Sequence, residues 1–277
     1  MSVRLIFNSI WRNPGNRGQR LNRLGRAVAW QLEKRVARKP KKIRLPNNTS
    51  FITHPDCVVS SALIYAEWPE FNELQFVRRM LKPNDVIIDV GANVGHISLL
   101  LSDIVGADNI FAFEPTPVSF QRLVENWRAN GWATENLFQM AVGPSSGLAH
   151  IPDTASPETK NSITSANGAT RMVSVPMVSL DECRIRWRGR QIGLVKIDVE
   201  GYESEVFAGA RDFLQQDRPR LIMFESLGHN VDQGIGTILR DARYQIFQLD
   251  EAGRPEFHRV TAQNLFAIPR ESESVLR

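Results

Sequence analysis

A turn able to bind a charged ligand follows the apolar run at residues 86–90. Asp89 lies at the end of this run, and Gly91 and Gly95 follow it four residues apart. This G-x-x-x-G spacing differs from the G-x-G-x-x-G spacing that brings a pyrophosphate to a helix N-terminus, which makes a nicotinamide dinucleotide the weaker alternative. An acidic side chain beside the turn suits a cation. Glu114 ends the next apolar run, where a carboxylate can accept hydrogen bonds from a ribose diol.

These features together predict a ligand that carries both a ribose and an ammonium or sulfonium group. S-adenosylmethionine has both groups. A strand-ending Asp and turn glycines are also common for purely structural reasons, so an α/β domain without this ligand is the structural alternative.

A second charged stretch, LVKIDVEGYESEVFAGA, covers residues 194–210. Side chains two residues apart share a face of an extended segment, which groups Lys196, Asp198 and Glu200. Charged residues are rarely buried without partners, so these three residues form either an ion-pair network or one side of a catalytic site, called here a catalytic wall. Both interpretations are open for Lys196. At Asp198, which ends the strand, a functional role is favoured.

Alternating strand and helix patterns should position these residues. Short apolar runs predict strands at 86–90, 109–113, 137–142, 194–199 and 221–225. Helical patterns occupy residues 96–104, 117–130 and 202–216. This alternation predicts a doubly wound α/β sheet. The last strands, 244–249 and 265–268, lack a helix between them, which favours an antiparallel hairpin at the edge. Residues 153–175, rich in Ser, Thr, Pro, Asn and Gly, predict an inserted loop.

Four motifs give the sequence a family resemblance. DVGANVG, FAFEP, VKIDVEGYE and RPRLIMFES, spread over about residues 84–268, resemble the FkbM family of S-adenosylmethionine-dependent methyltransferases. The resemblance implies a class I methyltransferase (Rossmann-like) fold of seven strands with one antiparallel edge strand. It also implies methyl transfer to an oxygen, in many relatives that of a sugar. By this resemblance the cofactor-binding residues are Asp89, Gly91, Asn93, Gly95 and Glu114.

Methylation of a sugar hydroxyl requires removal of its proton, by a general base or with the help of a metal. The candidate catalytic residues are Asp198, Glu200, Glu225 and His229. His229 has an ordinary pKa of about 6.5 that suits a base, although an ordinary loop histidine is an equal alternative. A divalent cation held by Asp198 and a neighbouring carboxylate lacks diagnostic spacing and is not predicted. His96 either covers the cofactor or simply begins a helix.

The net charge of +4 conceals a strong asymmetry between the N-terminus and the rest of the chain. Residues 1–44 carry +12 and the remainder carries −8. Leu21, Leu24, Val28 and Leu32 recur at helical spacing among basic residues, which predicts a cationic amphipathic helix. Such a helix can contact an anionic membrane, bind a polyanion or pack on its own domain. Nucleic acid is not an expected partner, because zinc-finger spacing and an aromatic platform are missing.

Composition predicts a cytoplasmic protein, either free or peripheral to the inner face of the membrane. Neither a transmembrane stretch nor a secretory signal is recognisable, and two distant cysteines, Cys57 and Cys183, indicate a reducing compartment. The predicted division is a basic arm (1–48), a lead-in segment (49–83), a methyltransferase domain (84–270) and a tail (271–277).

The predicted function is O-methylation of a hydroxyl on a sugar-containing acceptor, in a glycan, a glycolipid or a glycosylated metabolite. The alternatives are methylation of a small non-sugar metabolite, and a non-catalytic cofactor-fold domain that is recruited to anionic surfaces.

Overall fold

The computed structural model describes residues 3–152, 172–226, 231–258 and 260–276. The α-helices are α1 (Val3–Arg12), α2 (Arg20–Val36), α3 (Val58–Tyr65), α4 (Phe71–Met80), α5 (His96–Val105), α6 (Pro117–Arg128), α7 (Leu180–Cys183), α8 (Glu203–Ala208) and α9 (Gln233–Asp241). The strands are β1 (Lys41–Arg44), β2 (Ser50–Thr53), β3 (Val86–Val90), β4 (Ile110–Phe113), β5 (Leu137–Phe138), β6 (Ala141–Val142), β7 (Gly147–Pro152), β8 (Met172–Val178), β9 (Ile192–Ile197), β10 (Ile222–Glu225), β11 (Tyr244–Leu249), β12 (Pro255–Glu256) and β13 (Asn264–Pro269). Short 3-10 helices span Pro14–Asn16, Ala107–Asn109, Arg184–Arg186 and Arg270–Leu276, and a π-helix spans Phe213–Asp217.

The main sheet has the strand order β12-β11-β13-β10-β9-β3-β4-β5. Strands β5, β4, β3, β9 and β10 are parallel, whereas β13 is antiparallel to both of its neighbours, β10 and β11. The predicted doubly wound sheet with a reversed strand is therefore confirmed. Seven strands with one antiparallel edge strand were expected, whereas the two-residue β12 makes the sheet eight-stranded and the reversed strand β13 lies inside β11. The chain order reverses between β3 and β9, which is where ligands bind in sheets of this kind.

Two apolar layers cover the faces of this sheet. Successive β3 residues point to opposite sides, so Ile87 packs with Leu99 and Trp127 while Ile88 packs with Phe207. Each layer is completed by helices, with α4, α5 and α6 on one face and α7, α8 and α9 on the other. Burial on both faces explains why these strands have continuous apolar sequences.

The structure differs from the sequence prediction in three segments. Residues 137–142 form two strands, because β5 joins the main sheet and β6 turns into a separate sheet with β8 and β7. The predicted loop at 153–175 is wrong at its end, where β8 begins at Met172; residues 153–171 lie outside the described residues. The predicted helix at 202–216 is interrupted after α8. At this break the backbone of Gly209 lies so close to the Gly143 carbonyl oxygen that a side chain would overlap it.

Helix α2 occupies the predicted amphipathic segment, but the structure buries the side opposite to the predicted apolar face. Trp30 donates from its indole Nε1 to Ser61 Oγ at 3.0 Å, and Arg23 pairs with Glu67. Asn16, in the corner before α2, donates to the Tyr65 carbonyl oxygen at 2.9 Å. Aromatic and polar anchors therefore attach α2 to α3, whereas Leu21, Val28 and Leu32 remain exposed and Leu24 is half-buried.

Candidate active site

The turn after β3 requires backbone conformations that favour glycine. Gly91, Asn93 and Gly95 have φ angles of 75°, 51° and 82°. A side chain at Gly91 would overlap the Asp198 carbonyl oxygen, and one at Gly95 would overlap Leu123 of α6. The two glycines therefore allow the turn to approach the end of β9 and allow α5 to pack on α6.

Asp89 lies beneath this turn and is absent from the lining of the adjacent cavity. Its carboxylate accepts a hydrogen bond from Ser98 Oγ at 2.6 Å and lies 3.4 Å from Lys196 Nζ. The side chain of Asp89 is 1% exposed. The structure thus gives Asp89 contacts that hold the turn, in contrast to the direct contact with a cation that the sequence suggested.

Lys196 joins the turn to the end of β9. Its ammonium donates to the Gly91 carbonyl oxygen at 2.7 Å and lies 3.4 Å from the carboxylates of both Asp89 and Asp198. Desolvation by burial opposes the charge, but the two carboxylates outweigh it and raise the pKa of Lys196 above its usual value. Of the two interpretations open for Lys196, the structure supports the ion-pair network.

Glu114 connects the loops after β3 and β4. It is buried, and its carboxylate oxygens accept hydrogen bonds at 2.8 Å from the backbone N–H groups of Asn93 and Thr116. Burial raises the pKa of Glu114 above its usual value, although these hydrogen bonds favour the ionised form. Each carboxylate oxygen has a further lone pair, and Glu114 lines the cavity, so the residue fits the predicted ribose contact.

The cavity beside the turn is lined by polar groups of the kind that the predicted cofactor needs. It lies at the switch point, and its walls include Gly91, Asn93, His96, Glu114, Asp198 and Glu200. Two buried atoms facing this region, Asn93 Oδ1 and His96 Nδ1, have no hydrogen-bond partner among the described residues. Buried polar atoms normally have partners, so these two are available to a bound polar ligand. Burial and then the Lys196 charge lower the pKa of His96 to about 4, which keeps the ring neutral.

Two of the predicted catalytic carboxylates, Asp198 and Glu225, come together at the ends of β9 and β10. Strand β10 lies next to β9 as expected, and a smaller cavity at their ends is lined by Asp198, Glu225 and His96. Glu225 accepts a hydrogen bond from Gln263 Nε2 at 2.6 Å, and its other oxygen, Oε2, is buried without a partner among the described residues. Burial raises the pKa of Glu225. Glu200 adopts a left-handed φ of 55° and lines the larger cavity, while His229 lies outside the described residues.

Glu70 is a site residue that sequence reasoning missed. It immediately precedes α4 with a left-handed φ of 49°, and it lines both cavities. Enclosure by the protein is the largest cause that raises the pKa of Glu70 to about 7, followed by the negative charge of Asp198. The side chain of Glu70 is also exposed to solvent, and solvent screens part of this increase in its pKa. Nothing in the local sequence pattern distinguishes Glu70 from a surface acid.

Glu203 also escaped the sequence reasoning, as a residue that fixes the loop after β9. It is buried, and its Oε1 accepts hydrogen bonds from the backbone N–H groups of Val199 at 3.1 Å and Gly201 at 3.2 Å. Its place in the first turn of α8, two residues after Gly201, was a signal for such capping.

Three observations concern metals, thiols and membranes. The described part of the chain contains no group of three or more His, Cys, Asp or Glu side chains arranged to hold a metal ion. Cys57 and Cys183 are both buried free thiols. Among the helices described, none is both long and apolar enough to cross a membrane.

The strand order, the reversed β13 and the glycine turn at the switch point match the class I methyltransferase fold that the sequence predicts. The family model "Methyltransferase FkbM domain" matches residues 89–253, and the chain belongs to this FkbM methyltransferase family.

Two curated relatives have names that describe a methylated substrate. The chain is 27% identical over 257 residues to the 31-O-demethyl-FK506 methyltransferase FkbM of Streptomyces tacrolimicus, covering 80% of this chain and 96% of that protein. It is 33% identical over 132 residues to the hexuronic acid methyltransferase AglP of Haloferax volcanii, covering 48% of this chain. That second match spans about half, 52%, of the relative's length.

Two solved structures match the chain at low sequence identity and low TM-score. An FkbM methyltransferase from Methylobacillus flagellatus is 14% identical with a TM-score of 0.44, covering 90% of this chain and 60% of that one. TYW2 of M. jannaschii, solved in complex with AdoMet, is 10% identical with a TM-score of 0.39, covering 83% of each chain.

Proposed function

We propose that this chain is an S-adenosylmethionine-dependent O-methyltransferase that acts on a hydroxyl of a sugar in a glycan, glycolipid or glycosylated metabolite. The observation that carries the proposal is the continuity of two sites. The cradle made by Gly91, Asn93 and Glu114 opens onto a wall formed by Glu70, Asp198 and Glu225. Bound S-adenosylmethionine would supply an electrophilic methyl group on a sulfonium.

The cradle residues would bind and orient the cofactor. Glu114 offers carboxylate lone pairs to the ribose hydroxyls, and Asn93 Oδ1 is a buried acceptor that needs a donor. Because Gly91 has no side chain, the turn can lie against the Asp198 carbonyl oxygen. Lys196 donates to the Gly91 carbonyl oxygen and pairs with Asp89, and these contacts hold the Gly91 backbone in place. In-line displacement depends on such alignment, so these contacts contribute by orientation.

The carboxylate wall would bind the acceptor and take its proton. Carboxylates accept hydrogen bonds from sugar hydroxyls, and a carboxylate with a raised pKa is a better base toward a weakly acidic hydroxyl. Burial raises the pKa of Glu225, and enclosure raises the pKa of Glu70. We assign acceptor binding and proton removal to Asp198, Glu200, Glu225 and Glu70, with His229 a further candidate from the sequence.

A second candidate substrate is the hydroxyl of a small non-sugar metabolite. It is favoured by the relative that covers most of both chains, whose name specifies 31-O-demethyl-FK506 as the methylated compound. The sugar acceptor is favoured by the relative named for a hexuronic acid.

Calorimetry with S-adenosylmethionine tests the cofactor half of the proposal. We expect the intact chain to bind the cofactor, Glu114→Gln to bind it at least about tenfold more weakly, and Asp108→Ala, an exposed acid outside the cavities, to bind it normally. An intact chain that binds no S-adenosylmethionine would refute the proposed reaction.

Mass spectrometry tests the acceptor half. Glycans, glycolipids and small metabolites from cells with and without this chain are compared for a species that differs by one methyl group. Complementation with Asp198→Ala should fail to restore that species, whereas Asp108→Ala should restore it. A methyl difference on a non-sugar compound alone would support the second candidate instead.

The proposal also includes a location. Residues 1–44 carry a net charge of +12, and we propose that this basic segment holds the enzyme at an anionic membrane surface.

A further inference from the structure

Helix α2 has two apolar faces, and only one is buried by the protein. At 100° per residue, Ala27 and Trp30 lie on the side that packs on α3. An apolar stripe lies on the opposite side of α2 and consists of Leu21, Val28, Leu32 and Val36. Its members are 78%, 56%, 56% and 82% exposed, in that order. Exposed aliphatic side chains scattered singly are ordinary, but a row over four helical turns is typical of an interaction surface.

Helix α1 adds aromatic side chains to the exposed surface of this segment. Phe7 and Trp11 are 42% and 40% exposed, and their rings stack with centroids 4.9 Å apart. The Arg20 guanidinium lies 5.0 Å from the centroid of the Trp11 ring. Tryptophan, which has an apolar ring and a polar indole N–H, is enriched at the boundary between lipid headgroups and acyl chains.

Basic side chains accompany the apolar stripe. The exposed ones in this segment are Arg4, Arg12, Arg17, Arg26, Arg35, Arg38, Lys39, Lys41, Lys42 and Arg44. The segment has one acid, Glu33, which is paired with Lys41. Apolar side chains beside a dense positive charge match the two components of an anionic phospholipid surface, its acyl chains and its headgroups.

We infer that the outward face of α1 and α2 docks on an anionic phospholipid membrane, with Leu21, Val28, Leu32 and Val36 entering the headgroup boundary. Charge argues against a second copy of this chain as the occupant, because two segments of +12 would face each other. A nucleic acid would engage the cations but would leave the apolar row without a partner.

This docking would place the candidate active site close to the membrane. Helix α3 contacts α2 through Ser61 and Ile64, and it also supplies Val58, Val59 and Ala62 to the lining of the cofactor cavity. Helix α3 thus lies between the cavity and α2, which carries the docking face on its far side. An acceptor carried on a lipid would reach this cavity without leaving the membrane surface.

Co-sedimentation with vesicles tests the inference on the full chain. We compare vesicles of phosphatidylcholine with vesicles that also contain phosphatidylglycerol, and we measure the partition coefficient of the wild type, of Leu21→Gln/Leu32→Gln and of a control. The control, Leu148→Gln/Ile185→Gln, removes two equally exposed aliphatic side chains outside the N-terminal segment. Calorimetry with S-adenosylmethionine and thermal unfolding are measured on every variant.

We expect binding that depends on phosphatidylglycerol, a loss of about tenfold or more in Leu21→Gln/Leu32→Gln, and no change in the control. Cofactor affinity and melting temperature should be the same in all variants, because these side chains contact solvent. Absence of binding to phosphatidylglycerol vesicles would overturn the inference, as would equal partitioning of the stripe variant. A change from dimer to monomer in the stripe variant without vesicle binding would instead identify a self-association face. None of these failures would alter the cofactor measurement, so they are distinguishable from failure of the proposed reaction.

Discussion

Replacing Lys196 by Met tests whether the cofactor turn depends on a buried charge network. Methionine has a similar length but removes the ammonium, which donates to the Gly91 carbonyl oxygen at 2.7 Å and lies 3.4 Å from two carboxylates. Lys196 and Asp89 are 5% and 1% exposed, so Asp89 would keep a buried charge with Ser98 as its hydrogen-bond donor.

The magnitude follows from these distances and from burial. The 3.4 Å contact with buried Asp89 is worth roughly 5 kcal/mol of gross attraction at an intermediate effective dielectric, and much of it offsets the desolvation of the ammonium. The contact with Asp198 contributes less, because that side chain is 46% exposed and solvent screens it. Removing one partner of such a buried pair costs about 3–5 kcal/mol in the free energy of unfolding. The exposed pair of Lys41 and Glu33 provides the control, since breaking it with Lys41→Met should cost about 1 kcal/mol or less.

Urea unfolding followed by circular dichroism measures both variants. The double variant Asp89→Asn/Lys196→Met should lose less stability than the two single losses added together, because it leaves no unpaired charge at Asp89. The reasoning would be refuted if Lys196→Met stayed within 1 kcal/mol of the wild type, or if the two single losses added in the double variant.

Three further results are expected. Gly91→Ala should abolish S-adenosylmethionine binding in calorimetry, because the added side chain would overlap the Asp198 carbonyl oxygen. The control is Gly189→Ala, at a position with a similar φ and open space around it, and it should cost only about 1–2 kcal/mol of stability and leave binding intact. Affinity for S-adenosylmethionine should fall as the pH is lowered through the raised pKa of Glu114, because a ribose diol donates to the ionised carboxylate. Glu114→Gln should remove this pH dependence. Unchanged affinity from pH 8 down to roughly 4.5 would contradict the assignment of Glu114 to the ribose. A pH titration of Glu70 followed by carboxyl-carbon NMR should give a midpoint above 4.5 that moves down in Asp198→Asn, since the Asp198 charge raises the pKa of Glu70. An unmoved midpoint would contradict the proposed grouping of Glu70 with Asp198.

Local sequence patterns predicted the strands and the turn that position the site, because these features depend on side-chain burial and backbone conformation over a few residues. The continuous apolar runs required burial on both faces of a sheet, and Gly91 and Gly95 required left-handed backbone. The ends of parallel strands then place Asp198 and Glu225 side by side, because Asp198 directly follows β9 and Glu225 is the last residue of β10. The sequence left the ion-pair and catalytic interpretations of Lys196 both open, and the distances to both carboxylates favour the ion pairs.

The sequence by itself determined the sheet, the glycine turn and the charge asymmetry, because each depends on side-chain periodicity, on φ or on composition. Tertiary structure alone decided which face of α2 is buried: the Trp30 and Arg23 anchors attach one side to α3 and leave the Leu21 side exposed. It also decided that Glu70 joins the wall. Glu70 and Asp198 are far apart in the sequence and come close in space only when α4 packs against the sheet. Burial and electrostatic coupling depend on that separation in space.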